Sequence, residues 1–315
     1  MTNPISPYND GSILVAIPAL NEAEKIADVV NGIQEAFASL KHEILVVDDG
    51  SVDDTGSIAR AFGCLVIRHE ANFGVGIAFR SAANFAREQG FSGLATIDAD
   101  DQFDAKDLVA LVKAGLNNPS LGVVSGTRFD SRQSSKRVPW LKRFGNRVLA
   151  GLISFLTGQP ISDSSCGLRY YSRASLSFVH LRGSFTYTQE TIMDIAFRGL
   201  SIKQIPITVQ YFADRKSRVA GNLLNYAIRA LAIIVKAARD YFPMKVFGSV
   251  AIAAATIALI FSSLFVSHFL ATGMFSGYLF AGLLGAFFWL VAITSFGVGL
   301  IIDSLCSIRL AMTQE

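Results

Sequence analysis

Two runs near the C-terminus, Val246 to Leu270 and Tyr278 to Ile302, carry no lysine, arginine or acidic residue. Each has ~25 residues, or ~37 Å as a helix, enough to cross a ~30 Å hydrocarbon core with some tilt. The linker ATGMFSG between them is short, so the pair reads as a transmembrane hairpin. Buried core helices are the alternative, and this length argues against them. Lys236, Arg239 and Lys245 precede the hairpin and Arg309 follows it. The positive-inside rule then puts both of its ends, and with them both termini and the soluble part, in the cytoplasm. The chain is 51% hydrophobic, and the apolar excess is concentrated in its last quarter, so the rest reads as a soluble domain. The polar start MTNPISPYNDGS lacks the apolar centre of a signal peptide.

The first 130 or so residues alternate between two periods. SILVAIPAL, HEILVVDD, GCLVIRHE, SGLATIDAD and LGVVSGTR read as five strands. Ala23–Ser39, Asp54–Ala61, Gly74–Gln89 and Ala105–Leu116 read as helices between them. In the first helix Ile26, Val29, Val30, Ile33 and Phe37 keep a helical period. Apolar strands alternating with helices predict an α/β fold with a mostly parallel sheet covered on both faces, which binds its ligands beyond the carboxyl ends of the strands.

Those ends are acidic. Asp98, Asp100, Asp101 and Asp104 crowd the end of the fourth strand, and Asp48 and Asp49 end the second. Like charges so close raise one another's pKa unless a cation compensates. Asp98 and Asp100 alternate, with Gln102 next on the same side. Two carboxylates and an amide oxygen suit Mg²⁺ or Mn²⁺, whose other ligands come from water and a substrate's phosphates. The competing reading is an acidic helix start, stabilised by the helix dipole, and it suits Asp101 and Asp104 best. The three cysteines are odd in number and far apart, and the four histidines are scattered. Neither a disulfide framework nor a zinc site is expected, and a reducing setting fits. A formal net charge of +3 gives no case for nucleic acid.

Two further segments read as amphipathic helices. In VPWLKRFGNRVLAGLISFLTG, Trp140, Phe144, Val148, Leu152 and Leu156 are spaced to line one side, edged by Lys142, Arg143 and Arg147. In NLLNYAIRALAIIVKAARDYF the corresponding residues are Leu224, Ile228, Leu231 and Val235, edged by Arg229, Lys236 and Arg239. They pack either on the core or in a membrane interface, which rewards aromatic and basic edges.

IPALNE, VVDDGS followed by DDT, NFGVGIA, IDADDQ and SGTR, in that order, resemble the GT-A glycosyltransferases of family 2, in the dolichol-phosphate mannose synthase-like, polyprenyl-phosphate glycosyltransferase branch. The resemblance covers about residues 12 to 220 and implies three regions. The first is a GT-A domain over 1–220, including an interfacial helix at about 139–157. A juxtamembrane helix over 221–244 follows, then two spans at about 246–270 and 278–302 within 245–315.

It also implies roles. Pro18, Leu20, Asn21, Glu22, Asp49 and Gly76 would surround the nucleotide, with Asp98 and Asp101 toward the nucleotide-sugar. Asp98, Asp100 and Gln102 would hold the metal and the diphosphate. Arg128, Lys142, Arg143, Arg147, Arg215 and Arg218 would meet an acceptor phosphate. Asp163, Ser165, Gly167 and Arg169 match the family's Asp-then-SGF(R/K) segment, and Glu190 matches an acidic position before the helix leading to the last strand. The last motif departs: ADRKSRVAG puts Arg215 near the place of the family's glycine, while Ser217 and Arg218 match.

The reaction implied is inverting transfer of a hexose from a nucleotide-diphosphate sugar, UDP favoured over GDP, to a membrane-borne polyprenyl phosphate. Asp100, Arg128 and Asp163 are the expected catalytic residues, with Asp163 the carboxylate available to assist the acceptor. Homo-oligomerisation is left open. The rivals are a glycolipid synthase with a hydroxyl acceptor such as diacylglycerol, and a non-catalytic nucleotide-sugar sensor. The QxxRW motif of processive synthases is absent, since neither Trp140 nor Trp289 is preceded by it.

Overall fold

β1 (Ile13–Ala19), β2 (His42–Asp48), β3 (Leu65–Arg68) and β4 (Gly93–Thr96) run parallel, with β1 between β2 and β4. These elements belong to a computed structural model that describes residue 8 and residues 10–128, 140–177, 187–210 and 223–312, apart from the side chains of 140–142, 223–227 and 309–312. Their apolar residues, such as Leu14, Val15, Leu45, Val46 and Leu94, are buried, as a doubly covered parallel sheet requires. The sheet continues through β5 (Leu121–Thr127), β6 (Arg169–Ser172) and β7 (Ser201–Pro206), in the order β3-β2-β1-β4-β6-β5-β7. β6 is antiparallel to both β4 and β5, and β5 pairs with β7 in parallel. The expected mostly parallel sheet is therefore present, with an antiparallel strand in its middle.

The chain runs from β1 outward to β2 and β3 and then returns to β4 on the other side of β1. The crevice beyond the carboxyl ends of β1 and β4 is thus a topological switch point. The β1–β4 ladder stops at Ala16 and Thr96, closed by the Ile97 N–H on the Ala16 carbonyl at 3.2 Å. Pro18 follows on the side facing β4. Its missing N–H therefore costs no ladder bond, and the two chains are free to part there. β4 is shorter than the run SGLATIDAD suggests, which leaves Asp98 and Asp100 beyond the strand.

Helices cover the sheet. α1 (Ile26–Ala36) buries Ile26, Val29, Val30 and Ile33, as its period predicts. It starts three residues later than expected, because the Ala23 N–H is bound to Asp53 Oδ2 at 3.1 Å instead of entering a helix. α2 (Thr55–Ala61), α3 (Val75–Glu88) and α4 (Ala105–Leu116) lie where expected. Asp104 caps α4 by accepting the Lys106 N–H at 2.8 Å. Gly74, at φ +93°, precedes α3 in a conformation that favours glycine.

α5 (Trp140–Thr157) corrects the expected apolar stripe. Leu149, Ala150, Ile153 and Leu156 are buried, while Phe144, Val148 and Phe155 are exposed. Residues spaced by four drift ~40° per step round a helix of 3.6 residues per turn, so the run from Phe144 to Leu156 winds from one face to the other. α6 (Arg173–Leu176) and α7 (Thr188–Phe197) follow. Glu190 lies in the first turn of α7 rather than before it. α8 (Leu223–Tyr241) exposes Ile228, Leu231 and Val235 and buries Ala230, Ile234, Ala237 and Ala238.

The chain divides into two compact units, Met1–Ile234 and Val235–Glu315. In the second, α9 (Pro243–Thr272) and α10 (Leu279–Met312) are long and apolar enough to cross a membrane. They pack antiparallel at small residues. A Cβ at Gly285 would lie 2.6 Å from Ser262 Oγ, and one at Gly299 would lie 3.0 Å from Phe247 Cβ. Both helices extend past the uncharged runs. Gly273 ends α9 in the left-handed conformation, its N–H on the Phe269 carbonyl at 2.8 Å.

In the first unit, the Tyr170 ring of β6 fills the space where side chains would stand on Gly93 and Gly115. A Cβ would come within 2.5 Å of the ring at Gly93 and within 2.2 Å at Gly115. Gly115→Ala is therefore expected to destabilise the protein by ~1–3 kcal/mol through overpacking. Gly151→Ala, at an exposed helical site with nothing within 4 Å, is expected to stabilise it by ~0.5–1 kcal/mol. Thermal unfolding of the two variants checks the pair.

Candidate active site

The loops after β1 and β2 are laced together. The Asn21 N–H donates to Ser51 Oγ at 2.9 Å, and Asn21 Oδ1 accepts the Val52 N–H at 2.8 Å. The Glu22 N–H donates to Thr55 Oγ1 at 2.9 Å, and Thr55 Oγ1 is in turn bound to Asp53. Asn21 has a φ of +52°, a left-handed conformation that asparagine tolerates better than most residues. This lacing fixes Pro18, Leu20 and Glu22, all partly exposed, along one wall of the crevice.

Asp48 and Asp49 face inward. Asp48 Oδ1 accepts the Ser51 N–H at 2.8 Å, and Oδ2 is paired with Arg68 at 3.4 Å in a space that only a glycine at position 56 leaves open. Asp49 accepts the Phe73 and Gly74 N–H groups at 3.1 and 2.7 Å, and its Oδ1 lies 2.7 Å from His69 Nδ1. The other nitrogen of His69 meets Ser81 Oγ of α3 at 3.0 Å. Asp49 thus holds the turn that leads into α3, where Gly76 is buried in the first turn.

Asp98 sits on the opposite wall. Its carboxyl is pushed up to about 7 by burial and by the charge of Asp100; Arg128 opposes that rise and Glu22 adds to it. Asp98 therefore senses Glu22 from the β1 loop and Arg128 from the end of β5 together. Its position depends on Gly167, where a Cβ would come within 2.8 Å of Asp98 Oδ1. Asp100 Oδ1 accepts the Gln102 N–H at 3.2 Å, and the Gln102 carbonyl accepts the Gln210 N–H at 3.0 Å. Asp101, left-handed at φ +58°, is turned to other company: burial raises its pKa, Lys25 opposes this and Asp28 adds to it.

Among the described residues, no three His, Cys, Asp or Glu side chains converge as a complete metal cage. Two mutually repelling carboxylates without a third still fit a hard divalent cation, because such an ion takes one or two carboxylates and completes its shell with water and phosphate oxygens.

Beyond Asp98 lies a second charged pair. Arg128 Nε donates to Asp163 Oδ2 at 2.7 Å, and its NH2 donates to Asp163 Oδ1 at 3.0 Å and to Ser165 Oγ at 2.7 Å. Burial alone would raise Asp163, but the charge and hydrogen bonds of Arg128 outweigh it and hold the carboxyl below its usual range. Asp163 is fully buried, and both its oxygens are engaged. Its two oxygens form a forked, charge-assisted pair with the Arg128 guanidinium.

Arg169, also fully buried, donates to the Cys166, Ser164 and Thr188 carbonyls at 2.8, 3.2 and 2.7 Å, which ties this loop to α7. Gln204 of β7 accepts the Ser162 and Asp163 N–H groups at 2.6 and 3.2 Å and donates to the Asp163 carbonyl at 2.6 Å. Asn146 of α5 grips the same loop. Gln204, Asn146, His69 and Ser51 were not singled out as site residues from the sequence. Ser51 belongs to the VVDDGS motif, and Asn146 is a lone amide three and four residues before the apolar Leu149 and Ala150.

Arg143 and Arg147 are exposed on α5, and Lys142 lies in its first turn. Arg215 and Arg218 lie outside the described residues.

Comparison with known proteins accords with this geometry. The family model described as glycosyl transferase family 2 matches residues 14–179. The UDP-N-acetylglucosamine–dolichyl-phosphate N-acetylglucosaminyltransferase of Methanococcus voltae is 29% identical over 72% of this chain and 97% of its own length. The polyprenol monophosphomannose synthase of Mycolicibacterium smegmatis is 27% identical over 70% of this chain and 85% of its own. Among solved structures, glucosyl-3-phosphoglycerate synthase from Mycobacterium tuberculosis, in complex with Mn²⁺, UDP and glucosyl-3-phosphoglycerate, superposes with a TM-score of 0.58 at 20% identity, covering 72% of this chain and 80% of that one. The expected GT-A fold is thus present.

The raised Asp98 carboxyl has a consequence for the ligand-free protein. Its folded-state pKa, about 7, lies above the ordinary 3.8, so its contribution to stability is full below pH 3.8 and is lost as pH rises through 7. Asp98→Asn is expected to remove up to ~1.4 kcal/mol per pH unit of that dependence between the two values. Unfolding of wild type and variant in chelator, from pH 4 to pH 8, measures the difference.

Proposed function

Because this chain belongs to glycosyl transferase family 2, we propose that it moves a hexose from a nucleotide-diphosphate sugar to a polyprenyl phosphate with inversion at the anomeric carbon. The observation that carries this reading is the placement of Asp98 and Asp100 just beyond β4 at the switch point of the sheet, with Arg128 held at the end of β5 by Asp163. A donor diphosphate and an acceptor phosphate then meet across one carboxylate pair. The names of the two relatives, one acting on a dolichyl phosphate and one making a polyprenol monophosphomannose, support a prenyl-phosphate acceptor. The sugars in those names differ, and UDP is the nucleotide favoured in this reading. The apolar pair α9 and α10 supports a membrane location, with both ends cytoplasmic by the charge rule.

In this reading Pro18, Leu20 and Glu22 border the nucleotide, while Asn21, Asp49 and Gly76 shape the loops that receive it. Asp101 serves through its turn. Asp98 and Asp100, with Gln102 beside them, hold Mg²⁺ or Mn²⁺ together with the diphosphate. When bound, that ion neutralises charge on the departing nucleoside diphosphate.

The acceptor oxygen attacks the anomeric carbon as the bond to the diphosphate breaks. A phosphate monoester, with a second pKa of about 6, is largely dianionic at neutral pH and needs no base. Arg128, held rigid by Asp163, positions that phosphate and offsets its charge. A hydroxyl acceptor such as diacylglycerol would need a base, and the engaged, acid-shifted Asp163 is poorly suited to be one. Lys142, Arg143, Arg147, Arg215 and Arg218 contribute to the acceptor side as basic groups near an anionic headgroup. The exposed apolar residues of α5 and α8 fit a seat in the membrane interface.

The test uses full-length protein in detergent with Mg²⁺ or Mn²⁺, polyprenyl phosphate and a panel of radiolabelled UDP- and GDP-sugars. Metal-dependent label in the organic phase from one donor is expected. Donor binding without lipid label would sink the reading in favour of a sensor. Asp100→Ala is expected to cut transfer at least ~10²-fold with the melting temperature kept.

A further inference from the structure

Helix α5 has two characters. One face is exposed and apolar, with Phe144, Val148 and Phe155. The other buries Leu149, Ala150, Ile153 and Leu156, together with one amide, Asn146, which is 8% exposed. The described bonds of that amide all go to a single loop. Asn146 Nδ2 donates to the Ser162 carbonyl at 2.9 Å. Its Oδ1 accepts the Ser164 N–H at 3.3 Å and the Ser164 and Ser165 hydroxyls, both at 3.4 Å. This loop carries Asp163, and Ser165 Oγ is itself 2.7 Å from Arg128 NH2. Asn146 is thus one hydroxyl away from the guanidinium.

A second grip lies two turns along the same helix. Ser154 Oγ accepts the Ile161 N–H at 2.9 Å, but Ser154 touches neither Asp163 nor Ser165 in the hydrogen bonds described.

We propose that Asn146 is a positioning residue for transfer: through Ser162, Ser164 and Ser165 it fixes the Asp163 carboxylate and so sets the direction in which Arg128 meets the acceptor phosphate. Its effect falls on the acceptor and not on the donor, because the loops after β1 and β2 make no bond to it. The helix that presents an apolar face outward is then mechanically joined to the acceptor arginine. The inference rests on the acceptor reading above for its kinetic form and on hydrogen bonds alone for its structural form.

Both forms are tested on full-length Asn146→Ala, with Ser154→Ala as the comparison and Asn146→Gln as the conservative variant. Steady-state kinetics with polyprenyl phosphate are expected to show the acceptor KM raised about tenfold or more in Asn146→Ala, with the donor KM within about twofold. Ser154→Ala is expected to keep both within about twofold. Asn146→Gln is expected to recover part of the loss.

Hydrogen exchange supplies a readout independent of turnover. The Arg128 N–H, bonded to Asp163 Oδ2 at 3.3 Å, is expected to exchange faster in Asn146→Ala and at the wild-type rate in Ser154→Ala. Unchanged Arg128 exchange in Asn146→Ala, equal effects of the alanine variants, or donor and acceptor KM rising together would overturn the proposal. If wild type transfers nothing to polyprenyl phosphate, the functional reading fails and the exchange comparison still decides the positioning role.

Discussion

Electrostatic crowding at one point of the crevice governs the rest of the site. Burial raises the Asp98 carboxyl most, the charges of Asp100 and Glu22 add to that rise, and Arg128 opposes it only in part. Arg128 cannot swing fully toward Asp98, because Asp163 and Ser165 hold it in a fork. The crevice therefore keeps a negative wall beside a fixed positive group. Two carboxylates set so close are the kind of group that a hard divalent cation relieves, with water and phosphate oxygens completing its shell.

Much of this was legible in the sequence where a residue's type is tied to its position. The period of Ile26, Val29, Val30 and Ile33 fixed one face of α1, and the strand-then-acid pattern located the crevice. What could not be read depends on partners distant in sequence. Four residues, RYYS, show no apolar alternation, yet they form a central strand because Tyr170 fills the gaps at Gly93 and Gly115 and Arg169 finds the Thr188 carbonyl on α7. The pairing of Asp163 with Arg128 spans 35 positions and leaves no pattern in the sequence. Gln204 looked like an ordinary strand residue until β7 brought it to the Asp163 loop.

The amphipathic segments show the limit of pattern reading from another side. A four-residue spacing finds a helix but not its faces, since the drift round the axis carries Phe144 outward and Leu156 inward. The faces are decided by what the helix grips, here the loop from Ile161 to Ser165.

The antiparallel strand in the middle of the sheet also has a bearing on how the protein is made. β6 borders β4 and β5 at once, with Arg169 beside Thr96 and Ser125. Until residues 169 to 172 have left the ribosome, the growing chain holds β3-β2-β1-β4 with a bare β4 edge and, apart from it, β5 without either of its neighbours, since β7 is made later still. Insertion of that one strand covers the β4 edge and joins β5 to the sheet, seats Tyr170 and brings Gly167 against Asp98. The same strand thus joins the two parts of the core and brings two walls of the charged crevice together, so a nascent chain with an unfinished core has an unfinished site as well.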